Sequence, residues 1–191
     1  MRLPKLNAEE LNPRQRQVYD VVAGKRGHVR GPYGVWMHSV ELCDKVISLS
    51  NYLRFDSPLP DRIKEFAILV TARFWDTQYS WNAHVGKALA AGIGQKVIDA
   101  LAAGREPDFE RDDERVFYGF AMEAPERHFV SDETFEKARA IFGNQGVVEV
   151  IGCVGYFSML QICLNSAQVD LQPERAPPFP DVRGFEKLSS R

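Results

Sequence analysis

The segment from Asp61 to Trp75 restricts the fold more than any other stretch. Ile63, Phe66, Ala67, Val70 and Phe74 recur at the i, i+3, i+4, i+7 spacing of a helix. Ile68, Leu69 and Ala72 make the opposite face apolar as well. A helix that is apolar all round is buried all round, so this one must run through the middle of whatever the chain builds. Glu65 breaks the pattern. It lies one turn before Leu69 on an otherwise greasy cylinder, so its carboxylate is predicted to face the interior. There its pKa rises unless a partner compensates.

A second helix is predicted from Asp76 or Thr77, both good caps, to Ala91, before Gly92. At about 100° per residue, Thr77, Ser80, Trp81, His84, Ala88 and Ala91 fall on one stripe. Two hydroxyls near a helix N-terminus favour an anion, although cap hydroxyls explain Thr77 and Ser80 equally well. Glu65 sits about 15 Å before the corner and His84 about 10 Å after it. If the helices fold back antiparallel, the two side chains reach nearly the same depth and act as one coupled proton-transfer site. Tyr79 is a further proton donor candidate, and Trp81 a candidate pocket wall.

These residues carry a resemblance. In the peroxidase branch of the alkylhydroperoxidase D / carboxymuconolactone decarboxylase family, Glu is followed after eleven residues by CxxC, then after three by His. Glu65 and His84 stand in that register, with Thr77 and Ser80 at the cysteine positions. The stretch Gln78-Tyr-Ser-Trp-Asn-Ala-His84, followed by Gly92, resembles a cysteine-less branch with a Tyr-x-Trp-x-x-His pattern. The resemblance covers 61–104 and extends over 12–60 and 111–166. It implies an alkylhydroperoxidase D-like helical bundle and catalytic roles for Glu65, His84, Ser80, Thr77 and Tyr79. It also implies a pocket-covering loop over 24–38, bringing Arg30, Tyr33 and Trp36 to the substrate. That loop holds four glycines and is long enough to suspect function.

The rest of the chain reads as helices. Asn12-Pro13 starts one that runs to Ala23 and ends at Gly24. Residues 39–54 form another, with Val40, Cys43 and Ile47, and also Leu42 and Val46, facing in. Short helices follow at 95–103 and 111–123, the second stopped by Pro125. Ser131 caps a helix that points Phe135, Ala138 and Ile141 inward, 143–146 form a turn, and an apolar helix fills 147–165. No strand, repeat or low-complexity tract is evident. The expectation is an all-α bundle of about eight helices. It comprises an N-terminal arm, helices and loop (1–60), a helical core (61–166) and a Pro-rich tail (167–191), all within one domain. The tail is expected to be extended, disordered or wrapped on a neighbouring subunit.

With 24 basic and 26 acidic residues and no basic block, nucleic acid is not an expected partner. The N-terminus lacks a signal-peptide core. Residues 150–169 carry no charge but hold Gln161, Asn165 and Gln168. Those amides argue for a core or interface helix over a membrane span. Three cysteines without CxxC indicate a reduced, cytoplasmic protein. His28, His38, His84 and His128 show no HxxxH or HExxH spacing, and no nucleotide or flavin motif is present, so neither metal nor cofactor is expected.

Two activities fit the resemblance. One is cofactor-independent acid–base chemistry, decarboxylation or proton transfer, on a small anionic carboxylate or lactone. The other is an alkylhydroperoxidase- or peroxiredoxin-like antioxidant oxidoreductase, for which Thr77 and Ser80 offer no thiolate. A non-catalytic scaffold is the third reading. A homo-oligomer, by the resemblance a trimer or hexamer, is expected from the long uncharged helix.

Overall fold

Asn12 closes a capping box with Gln15 and opens the first helix, α1, Pro13–Arg26. It passes the expected stop at Gly24, because Gly27 at φ 72° provides the left-handed C-cap and Lys25 and Arg26 suit the negative helix end. In this computed structural model, which describes residues 1–171 and 175–181, seven further α-helices follow: α2 Pro32–Trp36, α3 Val40–Asn51, α4 Asp61–Phe74, α5 Gln78–Ala90, α6 Gln95–Ala102, α7 Asp112–Arg127 and α8 Asp132–Ser166. No strand occurs among the described residues, and the fold is all-α as expected.

The central helix is α4. Ile63, Phe66, Ala67, Ile68, Leu69, Val70 and Ala72 are all buried, and α4 packs against α5, α7 and α8. Phe66 meets the rings of Phe109 and Phe117. Arg62 clamps α4 to α7 through Asp113 and Glu114. The α4–α5 corner turns at Asp76, which adopts φ 50°, and the helices run back against each other.

Several boundaries differ from the expectation. The 24–38 stretch contains α2, which buries Tyr33 and Trp36. After α3 the chain widens into a π-helical turn, Tyr52–Asp56, closed by Ser57 N–H donating to Tyr52 C=O at 2.8 Å. Such turns re-aim side chains and often sit at functional sites. Pro125 does not stop α7. It removes only one late backbone hydrogen bond, and the helix ends instead at His128, left-handed at φ 63°. Ser131 caps α8 as expected. The predicted 143–146 turn is reduced to a kink at Gly143 (φ 69°, ψ 177°) inside one long helix. Leu42, Phe135 and Ile141 are exposed, while Cys43, Val46, Ile47 and Ala138 are buried. The α8 helix is long and apolar enough to cross a membrane by length and composition, but half of its most apolar window is buried inside the fold.

The described part of the tail does not extend away from the body. Phe179 is buried against α5, its ring 5.6 Å from that of Trp81. The rest of the predicted tail, 172–174 and 182–191, lies outside the described residues.

The Gly143 geometry is one that only glycine adopts without strain. Gly143→Ala is expected to lower unfolding stability by about 1–3 kcal/mol. Gly24→Ala, on an open helical surface, should gain up to ~1 kcal/mol. Urea midpoints of the two variants against the parent test this contrast.

Candidate active site

The antiparallel α4–α5 corner brings Glu65 and His84 into contact. His84 Nδ1 lies 2.6 Å from Glu65 Oε2, and both side chains are about 15% exposed. The π-helical turn delivers Arg54, whose Nη2 donates to Glu65 Oε1 at 3.3 Å. Arg73, on the far turn of α4, pairs with Asp76 instead. Burial alone would raise the Glu65 carboxyl; the hydrogen bond and charge of His84, with Arg54 and Lys87, more than reverse this and hold it below its ordinary value. Burial also pushes the His84 pKa down, and Arg54 and Lys87 add to this against the opposing pull of Glu65. The resting pair is therefore carboxylate and neutral imidazole, with Nδ1–H donated to Glu65. Among the described residues no hydrogen bond occupies His84 Nε2.

His84 lines a cavity of about 430 Å³. Its walls carry six cationic side chains, Lys25, Arg26, Arg30, Arg54, Lys87 and Arg175, and among the described residues no carboxylate lines it. The side chains of Lys25, Arg30, Lys87 and Arg175 make no ion pair or hydrogen bond with any described residue, whereas Arg54 is paired with Glu65. Arg26 lies over the Tyr33 ring and donates to Asn51 and Ser50. Burial and Arg54 lower the Lys87 ammonium. A cavity whose walls carry more cations than the one carboxylate behind them, Glu65, balances favours an anion.

Ser80 and Tyr79 add hydroxyls to the cavity. Gln161, fully buried on α8, donates from Nε2 to Ser80 Oγ at 3.1 Å and to Thr71 Oγ1 at 3.4 Å. Thr71 already donates to Ala67 C=O, so it can only accept from Gln161, which fixes the amide orientation. Ser80 Oγ is thereby an acceptor from Gln161, and its own proton is left for a bound molecule. Tyr79 lies against Gly31, where a Cβ would come within 2.6 Å of the ring and φ is +62°. Burial raises the Tyr79 phenol and keeps it protonated.

Of the residues singled out in the sequence, the structure gathers Glu65, His84, Ser80, Tyr79, Arg30 and Tyr33 in or directly behind the cavity. It does not bring Thr77, Trp81 or Trp36 there. Thr77 stands at the N-cap position of α5 but makes no side-chain cap; its hydroxyl donates to Trp75 C=O at 3.5 Å, and it faces a separate small crevice. Trp81 turns to Phe179, because the helix stripe is wide enough to serve two faces. Trp36 packs edge-on against Tyr33 and at a tilt against Tyr156 in the core. Sequence reasoning missed Lys87, Arg54, Gln161 and Arg175. Lys87 continues the Ser80–His84 stripe and was findable; the others are remote in the chain and gave no local signal.

Solved structures share this fold. A protein from Ralstonia eutropha JMP134, described as an alkylhydroperoxidase AhpD core and an uncharacterised peroxidase-related protein, superposes with a TM-score of 0.75 at 19% identity, covering 91% of this chain and 93% of that one. A peroxidase-related protein from Silicibacter sp. TM1040 gives 0.72 at 16% identity, with 91% and 92% covered. A protein of unknown function from Agrobacterium tumefaciens, described as a candidate antioxidant defence protein AhpD, gives 0.64 at 20% identity, with 73% and 96% covered. No family model and no curated protein matches the sequence. The class that the architecture defines is the AhpD-like helical fold.

The protonation states make acid stability a readout of the site. Below the ordinary histidine value of 6.5 the unfolded chain takes up a proton that native His84 refuses, so stability falls with pH. Below the ordinary carboxyl value of 4.5, native Glu65 stays ionised while the unfolded one protonates, and the loss deepens. Melting temperature should therefore be highest above pH 7 on account of these groups and drop towards pH 4. His84→Asn should remove part of the slope that starts near 6.5; His28, held down by burial and Arg30, accounts for another part.

Proposed function

We propose that the protein is a carboxymuconolactone decarboxylase-like, cofactor-independent acid–base enzyme acting on a small carboxylate or lactone. The observation that carries this reading is the Glu65–His84 hydrogen bond through Nδ1, in a histidine that lines a cavity whose described walls carry cations and no acid. The neutral imidazole suits a base: Nε2 accepts a proton from the substrate while Glu65 stabilises the imidazolium that forms. The protonated Tyr79 phenol suits a donor. In a decarboxylation, the bond to the carboxylate breaks, carbon dioxide leaves, and the electron pair becomes a dienolate. The free Ser80 proton and the Lys87 and Arg54 charges would stabilise its oxygen, and a proton from the Tyr79 phenol, or from His84 once Nε2 has taken one up, would then be delivered to the carbon.

The second reading, an AhpD-type antioxidant oxidoreductase, draws on the descriptions of the structural relatives. It requires a thiolate at the cavity. Cys43, Cys153 and Cys163 do not line it, and burial pushes their thiols up to about 11, about 12 and about 11. Those values favour inert core thiols, which supports the acid–base reading. We also propose a cytoplasmic homo-oligomer, trimer or hexamer, without nucleic-acid or membrane partners. The exposed Val148, Ile151, Met159 and Ile162 along α8 support an interface there.

A lactone decarboxylation assay beside thiol-dependent peroxide consumption separates the activities. Glu65→Gln and His84→Asn are each expected to abolish decarboxylation or substrate proton exchange, and the double variant should be no worse than either single one. Peroxide consumption that survives in His84→Asn and disappears on blocking the cysteines would instead establish the oxidoreductase. Light scattering should give a species larger than a monomer at micromolar concentration.

A further inference from the structure

Residues 175–181 contain Pro177, Pro178 and Pro180. Proline has no N–H, so this segment cannot continue a helix, and its carbonyls need donors from elsewhere. The α5 helix supplies them. Asn82 Nδ2 donates to Ala176 C=O at 2.9 Å, and Gln78 Nε2 donates to Phe179 C=O. Between these ties, Phe179 sits edge-on to Trp81, and the Arg73 guanidinium lies 4.9 Å from its ring centre. Phe179 is only 6% exposed. This is an anchored segment, held at three successive residues of the Gln78–Trp81–Asn82 face.

The neighbouring face of the same helix, Ser80–His84–Lys87, lines the cavity. Anchoring the segment on one face of α5 thus brings Arg175 to the cavity wall beside the other. Arg175 makes no ion pair or hydrogen bond with a described residue there. A guanidinium presents a planar fork that matches a carboxylate.

We propose that Arg175 is a specificity-determining residue of the active site, carried there by the docked C-terminal segment to bind the anionic group of the substrate. The proposal rests on the reading that the cavity takes an anionic substrate. It assigns Trp81 a positioning role, as the seat for Phe179, in place of a pocket wall. It also makes the substrate site a product of two distant parts of the chain: the α4–α5 corner supplies the proton chemistry, and the C-terminal segment supplies charge recognition.

Calorimetric titration of the full chain with benzoate, and with benzamide as its neutral counterpart, tests this. The parent should bind benzoate in preference to benzamide. Arg175→Gln should weaken benzoate roughly tenfold to a hundredfold, leave benzamide unchanged, and keep the melting temperature, since Arg175 has no partner among the described residues. Arg175→Lys should recover part of the affinity. Phe179→Ala, which frees the segment, should cost as much benzoate affinity as Arg175→Gln, and the double variant no more. Benzoate affinity unchanged in Arg175→Gln overturns this proposal alone. A Phe179→Ala variant that is folded and binds benzoate like the parent overturns the role of docking. A parent that does not prefer benzoate to benzamide overturns both this proposal and the anionic-substrate reading.

Discussion

A carboxylate facing inward from a helix as deeply buried as α4 demands compensation, and much of this architecture follows from how Glu65 obtains it. One oxygen meets His84 at 2.6 Å and the other meets Arg54 at 3.3 Å. Neither partner is local. His84 requires that α5 fold back along α4 in one register, and Arg54 requires the wider π-helical turn after α3. Removing either partner would leave a charge in a medium that penalises it severely. The arrangement therefore ties three segments together at one point and holds the imidazole in the tautomer that exposes Nε2.

The α5 helix divides its circumference between two tasks. Ser80, His84 and Lys87 face the cavity, while Gln78, Trp81 and Asn82 hold the C-terminal segment. A helix this exposed to polar work on two sides has little apolar face left, and the remaining contact with α4 falls to small and aliphatic residues such as Ala88, which is fully buried. The cavity gains its charge the same way, by accretion from separate elements: Lys25 and Arg26 from α1, Arg54 from the π turn, Lys87 from α5 and Arg175 from the tail. Only Arg54 among them has a described carboxylate partner, Glu65; gathering the others is costly through mutual repulsion, and a bound anion would relieve it.

The polar atoms behind the cavity show how one buried residue can set the behaviour of another on the cavity wall. Gln161 is fully buried on the apolar helix α8, and its Oε1 has no hydrogen-bond partner among the described residues. An orphaned buried carbonyl costs stability. What the amide provides in return is a fixed donor to Ser80, which determines that the serine presents a proton to the cavity.

The sequence alone determined the all-helical class and the deep burial of α4, and it placed Glu65 and His84 at equal depth provided the two helices fold back antiparallel; the structure supplied their contact. Each of these rests on short-range periodicity: 3.6 residues per turn decides which residues share a face, and an antiparallel return across a tight corner aligns positions at equal depth. The same periodicity left Trp81 and His84 on one stripe, because a stripe is wide enough for two neighbours to face different partners. Only the tertiary structure decided that Trp81 seats Phe179 and that Trp36 and Thr77 lie away from the cavity. It also decided that Arg54, Gln161 and Arg175 complete the site. Those contacts span from eleven to more than eighty residues of chain, and no local pattern encodes which distant side chain will fill a place in a fold. The compensating charge for Glu65 could be foreseen as a need. Its identity as Arg54 depended on a π turn that hydrophobic patterning does not reveal.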